Sequence, residues 1–227
     1  MNNLPRQKQI EIIAALCEGV GQRAVTRLTG CDRKTVARLA LRVGRGCQEL
    51  HDRLMVGIRV NRLELDEAWS FVAKKQKNVQ RHEIHAKGDM YVFVGMAGTQ
   101  KAIISWGVGK RNGESTMDFL HDLRSRLIGQ PEISTDGFQP YRVAIRDAFG
   151  DSASHGVIVE TYSVTHLVKE AQGRYSPAAV VAVSRDVVSG NPDQYVSTSY
   201  VERGNLSLRM GSRSFHSIDE RLFKEAG

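Results

Sequence analysis

LELDEAWSF, residues 63–71, is the stretch on which the fold turns. Upstream of it apolar residues recur at helical spacing. From residue 61 onward the period changes and strand-like runs begin. LELDEAWSF therefore reads as the first strand of a sheet. After a basic loop, MYVFVGM (90–96) and AIISWGV (102–108) read as two strands joined by the short hairpin AGTQK. STMDFLHDLRSRL (115–127) reads as a helix with Leu120, Leu123 and Leu127 inward. EISTD (132–136) is a fourth strand, YRVAIRDAF (141–149) a helix and GVIVETY (156–162) a fifth strand. Residues 163–197 show no clear element, and Pro177, Gly190 and Pro192 punctuate them. TSYVERGNLSLRM (198–210) closes the series as a helix whose Glu202, Asn205 and Arg209 fall at i, i+3 and i+7, on one face.

This order (three strands, then helix, strand, helix, strand, helix) is that of the ribonuclease-H-like fold. It predicts an α/β domain with a mixed five-stranded sheet and helices on both faces. The first and fourth strands lie side by side in that fold, so a carboxylate on the first and one at the end of the fourth converge. Asp66 and Asp136 hold those places, and Glu202 on the late helix closes the cluster. Glu64 and Glu67 flank Asp66, and pattern alone does not choose among the three. Clustered carboxylates repel one another, and divalent cations relieve the repulsion. Mg²⁺ takes oxygen ligands and leaves positions for water and phosphate. Two such ions roughly 3.5–4 Å apart suit phosphodiester chemistry. Asn205 and Arg209 would orient Glu202 or touch a DNA backbone.

The N-terminal part reads differently. Residues 1–60 carry 11 Lys and Arg against 5 Asp and Glu, so nearly all of the net charge of +7 sits there, which points to a polyanionic partner. Residues 7–43 read as three short helices. The first has Ile10, Ile13 and Leu16 on one face, and the second has Ala24, Val25 and Leu28, closed by Gly30. Asp32 caps the third, RKTVARLALRV, which buries Val36, Leu39, Ala40 and Val43 and shows Lys34, Thr35, Arg38 and Arg42 outward. A short glycine-containing turn before a helix that is basic outside and apolar inside is a helix-turn-helix pattern. The four outward residues are the expected contacts to the major groove and its phosphates. Gly44, Gly46 and Gly57 interrupt any longer helix, so 44–60 reads as a linker. The expected division is a helix-turn-helix domain over 1–47, a linker over 48–60 and a catalytic domain over 61–227.

With 41% hydrophobic and 25% charged residues the composition is globular, which argues against disorder. Cys17, Cys31 and Cys47 form no CxxC pair and read as buried free thiols. The start MNNLPRQKQ has no signal-peptide core, and no apolar run reaches membrane-spanning length, so a cytoplasmic protein is expected. His82 and His85 stand at i, i+3 in the basic loop 74–88 but lack a third soft ligand nearby. That loop reads as a solvated segment able to grip phosphates. Trp69 and Trp106 read as core, Asp118 and Asp122 as a solvated helix face, and Glu132 and Asp147 as surface charges.

ELDEAWSFV, STDGFQPY and YVERGNLSLR, with KKQKN after the first and STSYVER leading into the third, resemble the catalytic blocks of DDE transposases of the insertion-sequence-one family. The resemblance covers roughly residues 5–210 and is specific in combination. It implies Asp66, Asp136 and Glu202 as metal-binding catalytic residues, with Asp66 chosen over its acidic neighbours. It implies Mg²⁺- or Mn²⁺-dependent cleavage at the ends of a mobile element and transfer of the freed 3′ ends to target DNA. It also implies double-stranded DNA as partner and a homo-oligomer to handle two ends. Asn205 and Arg209 match positions of the third block. After Met210 the chain departs from the family pattern, which continues through a further basic helix, so a shortened copy is expected. The alternative expectation is a catalytically inactive DNA-binding protein that represses transposition.

Overall fold

A computed structural model describes residues 4–84, 86–151, 153–162, 180–192 and 196–211. The elements are α1 (Arg6–Cys17), α2 (Gln22–Thr29), α3 (Arg33–Leu54), β1 (Arg62–Val72), β2 (Gly88–Ala97), β3 (Ala102–Gly109), α4 (Gly113–Ser125), β4 (Glu132–Thr135), α5 (Pro140–Phe149), β5 (Ser154–Tyr162), β6 (Val180–Ser189) and α6 (Ser199–Gly211). The sheet is mixed and open, in the order β3-β2-β1-β4-β5-β6. β1 runs antiparallel to β2 and parallel to β4, β4 parallel to β5, and β5 antiparallel to β6.

Alternation along β1 sorts its side chains between two layers. Leu63 and Leu65 join Phe93, Ile104, Ile133, the α4 residues Phe119, Leu120 and Leu123, and the α5 residues Tyr141 and Ile145 in the main core. The other face carries Glu64 and Asp66, with Val94 and Met96 on β2 packing against Val201 of α6. A Cβ on Gly204 would come within 2.8 Å of Met96 Cε, so α6 approaches the sheet where it has no side chain.

Three differences from the sequence reading have physical causes. The sheet has a sixth strand, in a region where no element was expected. β6 pairs with β5 at an edge, and Val183 and Val187 are 46% and 62% exposed. A strand open on both faces has no inward stripe and hence no alternation to read. Second, the expected linker is largely helix, because α3 continues to Leu54 through the 47/48 boundary. Gly44 and Gly46 cost the helix about 1 kcal/mol each relative to alanine. Contacts at its far end offset this: His51 Nε2 lies 3.0 Å from the Ile103 carbonyl and Asp52 accepts from Arg126 at 2.7 Å. Third, the free thiols are not buried as expected: Cys17 and Cys47 are exposed and Cys31 is half-buried.

The N-terminal helices close on Ile12, Val25, Val36 and Leu39. α1 is rotated from the expected stripe: Ile12 is buried while Ile10 is exposed, as is Leu28 on α2. Gly30 ends α2 in the left-handed region at φ +70°, and Asp32 Oδ1 accepts from the Lys34 amide at 2.8 Å to start α3. Trp106, expected in the core, is 39% exposed on the outer strand β3. Asp122 is not merely solvated: it accepts from Ser105 at 2.5 Å and from Arg126 Nε at 2.7 Å. In the basic segment Lys74 and Lys87 both pair with Glu83, which spends two of its cations inside the fold. His85 lies outside the described residues, as do residues 163–179 and the chain after Gly211. Among the described residues no helix is long and apolar enough to cross a membrane.

The approach to α6 depends on one glycine. Val196 packs on Gly156 of β5 so closely that an added Cβ would collide with both of its γ-methyls. Ser197 then donates its amide to Ser134 Oγ at 3.3 Å. Gly156→Ala is expected to cost about 1–3 kcal/mol by overpacking. Urea unfolding measures this, and a cost under about 0.5 kcal/mol would mean that Val196 moves aside freely.

Candidate active site

The site lies where parallel strands end. β4 stops at Thr135, and Asp136–Gly137–Phe138 turns away with Asp136 Oδ1 accepting from the Phe138 amide at 2.9 Å. β1 is longer than β4, so Asp66 and Glu67 stand beside that rim from the two faces of the sheet. Carboxylate oxygens of Asp66, Glu67 and Asp136 lie within 4.8 Å of one another, so these residues could hold a metal ion.

α6 completes the wall, and β1 locks it in place. Buried Glu64 accepts from the Tyr200 and Val201 amides through one oxygen, at 2.8 and 3.0 Å. Those are amides of the first turn, which have no partner inside the helix, and a negative charge suits that end. One turn further on, Asn205 is 3% exposed and donates from Nδ2 to Asp66 Oδ2 at 2.7 Å. Between these anchors Glu202 accepts from Thr198 Oγ1 at 2.5 Å and faces an open cavity of about 710 Å³. Asp66, Asp136 and Glu202 all line it, from β1, the end of β4 and α6.

The predicted polar stripe therefore divides. Glu202 faces the cavity, Asn205 is buried against Asp66 rather than exposed to a DNA backbone, and Arg209 is exposed. On α3, Lys34, Arg38 and Arg42 are exposed and Thr35 is half-buried; Arg42 also donates to Gln9 Oε1 at 2.9 Å.

Electrostatics separate the carboxylates. Burial is the main cause that raises the pKa of Glu67 to about 7; repulsion from Asp136 adds to it, while Arg111 and Tyr141 pull back. Burial also raises Asp136 and Glu202, the latter pushed further by Asp66, Glu160 and Asp136. Glu64 is raised by burial against the opposing pull of its two amide bonds. A cavity wall of carboxylates that resist ionising together fits a hard cation. Every donor in the cluster is a carboxylate oxygen. Asn205 Oδ1 is buried with no hydrogen-bond partner among the described residues.

Two residues of the candidate site escaped the sequence reading. Glu67 takes the third place in the tight acidic cluster, where only Asp66 was singled out on β1. Arg111, in the turn between β3 and α4, reaches Glu67 and Asp136. A lone arginine in a polar turn carries no periodic signal, so nothing in the sequence marks it. No protein-family profile matches this chain, and no curated protein does.

Proposed function

We propose that the chain is a DDE-type transposase of the insertion-sequence-one kind. The domain over residues 61–227 is a ribonuclease-H-like catalytic unit, and α2–turn–α3 is a helix-turn-helix that binds the ends of its element. The observation that carries this reading is the convergence of Asp66, Asp136 and Glu202, from three separate elements, on one open cavity. The strand order supports it, with β1 between β2 and β4 as that fold requires.

Asp66, Asp136 and Glu202 would hold two Mg²⁺ or Mn²⁺ ions, with Glu67 beside them. Such a pair activates a water or 3′-hydroxyl and stabilises the leaving oxygen of a phosphodiester. Asn205 orients Asp66, Thr198 orients Glu202, and Glu64 holds the helix that carries both Glu202 and Asn205. Lys34, Thr35, Arg38 and Arg42 would meet the major groove and phosphates, and exposed Arg209 the flanking backbone. The substrates are the terminal repeats and target DNA, met in the cytoplasm at the nucleoid. Joining two ends calls for a homo-oligomer.

The test is cleavage of a labelled duplex carrying the element's terminal repeat, with Mg²⁺ or Mn²⁺. Nicking at the repeat's edge is expected, reduced about 10³-fold or more in Asp136→Ala. Binding without cleavage, equal in both proteins, would leave a DNA-binding repressor instead.

A further inference from the structure

We infer that Arg111 is a built-in counter-cation of the acidic site, which a divalent ion must displace from Asp136 in order to bind. This rests on the reading of the cavity as a metal centre.

Arg111 holds its two carboxylates unequally. Nε donates to Glu67 Oε1 at 2.7 Å, a short charge-assisted bond to a side chain only 2% exposed. A terminal nitrogen reaches Asp136 Oδ2 at 3.4 Å, beyond the usual range for such a bond. The guanidinium also lies 4.0 Å from the centre of the Phe138 ring, with Tyr91 at 5.9 Å. Glu67 and Phe138 thus anchor the group as a pivot, while Asp136 is held loosely. Asp136 is also the carboxylate that a metal shared with Asp66 needs.

There is room for the group to turn. Arg111 borders the acidic cavity on one side and a second open cavity of about 670 Å³ on the other, lined by Tyr91, Lys110, Asn112 and Ser115 among others. Without a metal the arginine neutralises part of the carboxylate charge that would otherwise build up at the rim. With a metal its charge opposes the incoming ion at close range, in a site partly shielded from water. The site therefore binds its ion less tightly than its carboxylates alone would.

Mn²⁺ titration of the full chain without nucleic acid, read by electron paramagnetic resonance of the free ion, tests this. Arg111→Gln keeps a donor for Glu67 and removes the charge. It is expected to bind Mn²⁺ about tenfold more tightly than the wild type. Equal or weaker binding by Arg111→Gln, with wild-type binding lost in Asp136→Asn, would overturn the role of Arg111 and leave the metal centre standing. Absence of Mn²⁺ binding in both wild type and Arg111→Gln would overturn the metal centre, and the inference with it. A second readout needs no variant. In the wild-type chain, Arg111 Nη nitrogen resonances are expected to move as Mg²⁺ is added while Nε, held by Glu67, stays. Nη resonances that ignore saturating Mg²⁺ would refute the displacement.

Discussion

Glu64→Ala is expected to destabilise the protein by about 3 kcal/mol, one of the largest effects of any change near the site. The carboxylate is 5% exposed and accepts the Tyr200 and Val201 amides. Bonds to a charged group contribute about 1.5–3 kcal/mol each, and the cost of burying the carboxylate takes back part of the two. Truncation leaves both amides without their acceptor at the first turn of α6. The helix then loses the anchor that sets Glu202 over the cavity, so the nicking proposed above should fall along with stability. Glu64→Gln keeps an acceptor oxygen in place and is expected to recover about half of the loss. Urea unfolding of the three proteins decides it. A cost below about 1 kcal/mol for Glu64→Ala would show that the packing of Val201 and the Asn205–Asp66 bond hold the helix without Glu64.

Acid should remove about 3 kcal/mol of stability through a single histidine. His155 is 1% exposed on β5, with Nε2 2.9 Å from Thr135 Oγ1. Burial, helped by the positive charge of Arg142, pushes its pKa down to about 4 from the ordinary 6.5. The folded state therefore keeps it neutral, while the unfolded chain takes up a proton below pH 6.5. Its contribution is complete above pH 6.5 and is lost as pH falls through about 4. At about 1.4 kcal/mol per pH unit the window amounts to about 3 kcal/mol. The raised carboxylates of the cleft act in the opposite sense, since they bind protons more readily when folded. The test is therefore the difference between the wild type and His155→Gln, which keeps a partner for Thr135. Between pH 7 and pH 4, stability should fall about 3 kcal/mol further in the wild type. Equal losses in both would assign the acid sensitivity elsewhere.

Much of this arrangement was legible in the sequence because local chemistry and the global fold agree there. Asp136 stands in a turn that its own side chain stabilises, directly after a strand. Asp66 sits in a long alternating strand, and the i, i+3 spacing correctly placed Glu202 and Asn205 one turn apart. What was hidden depends on contacts between distant segments. Glu64 looks like a spare acid on a strand until Tyr200 and Val201, 136 and 137 residues away, bring their amides to it. Glu67 becomes part of the cluster only because Asp136 wraps the rim between the two faces of β1. The two glycines of α3 suggested a break that docking at His51 and Asp52 overrides. β6 carries no inward face to announce it.

The continuous α3 has a mechanical meaning. Its 22 residues make a rod of about 33 Å, with the basic Lys34 and Arg38 near one end and the His51–Asp52 anchor near the other. A loose tether would let the first helices wander through a sphere. A rod fixed at its far end keeps the bearing of its near end. His51 and Asp52 clamp it to Ile103 on β3 and to Arg126 just past α4. β3 pairs with β2, the strand whose Met96 lies under Gly204 of α6.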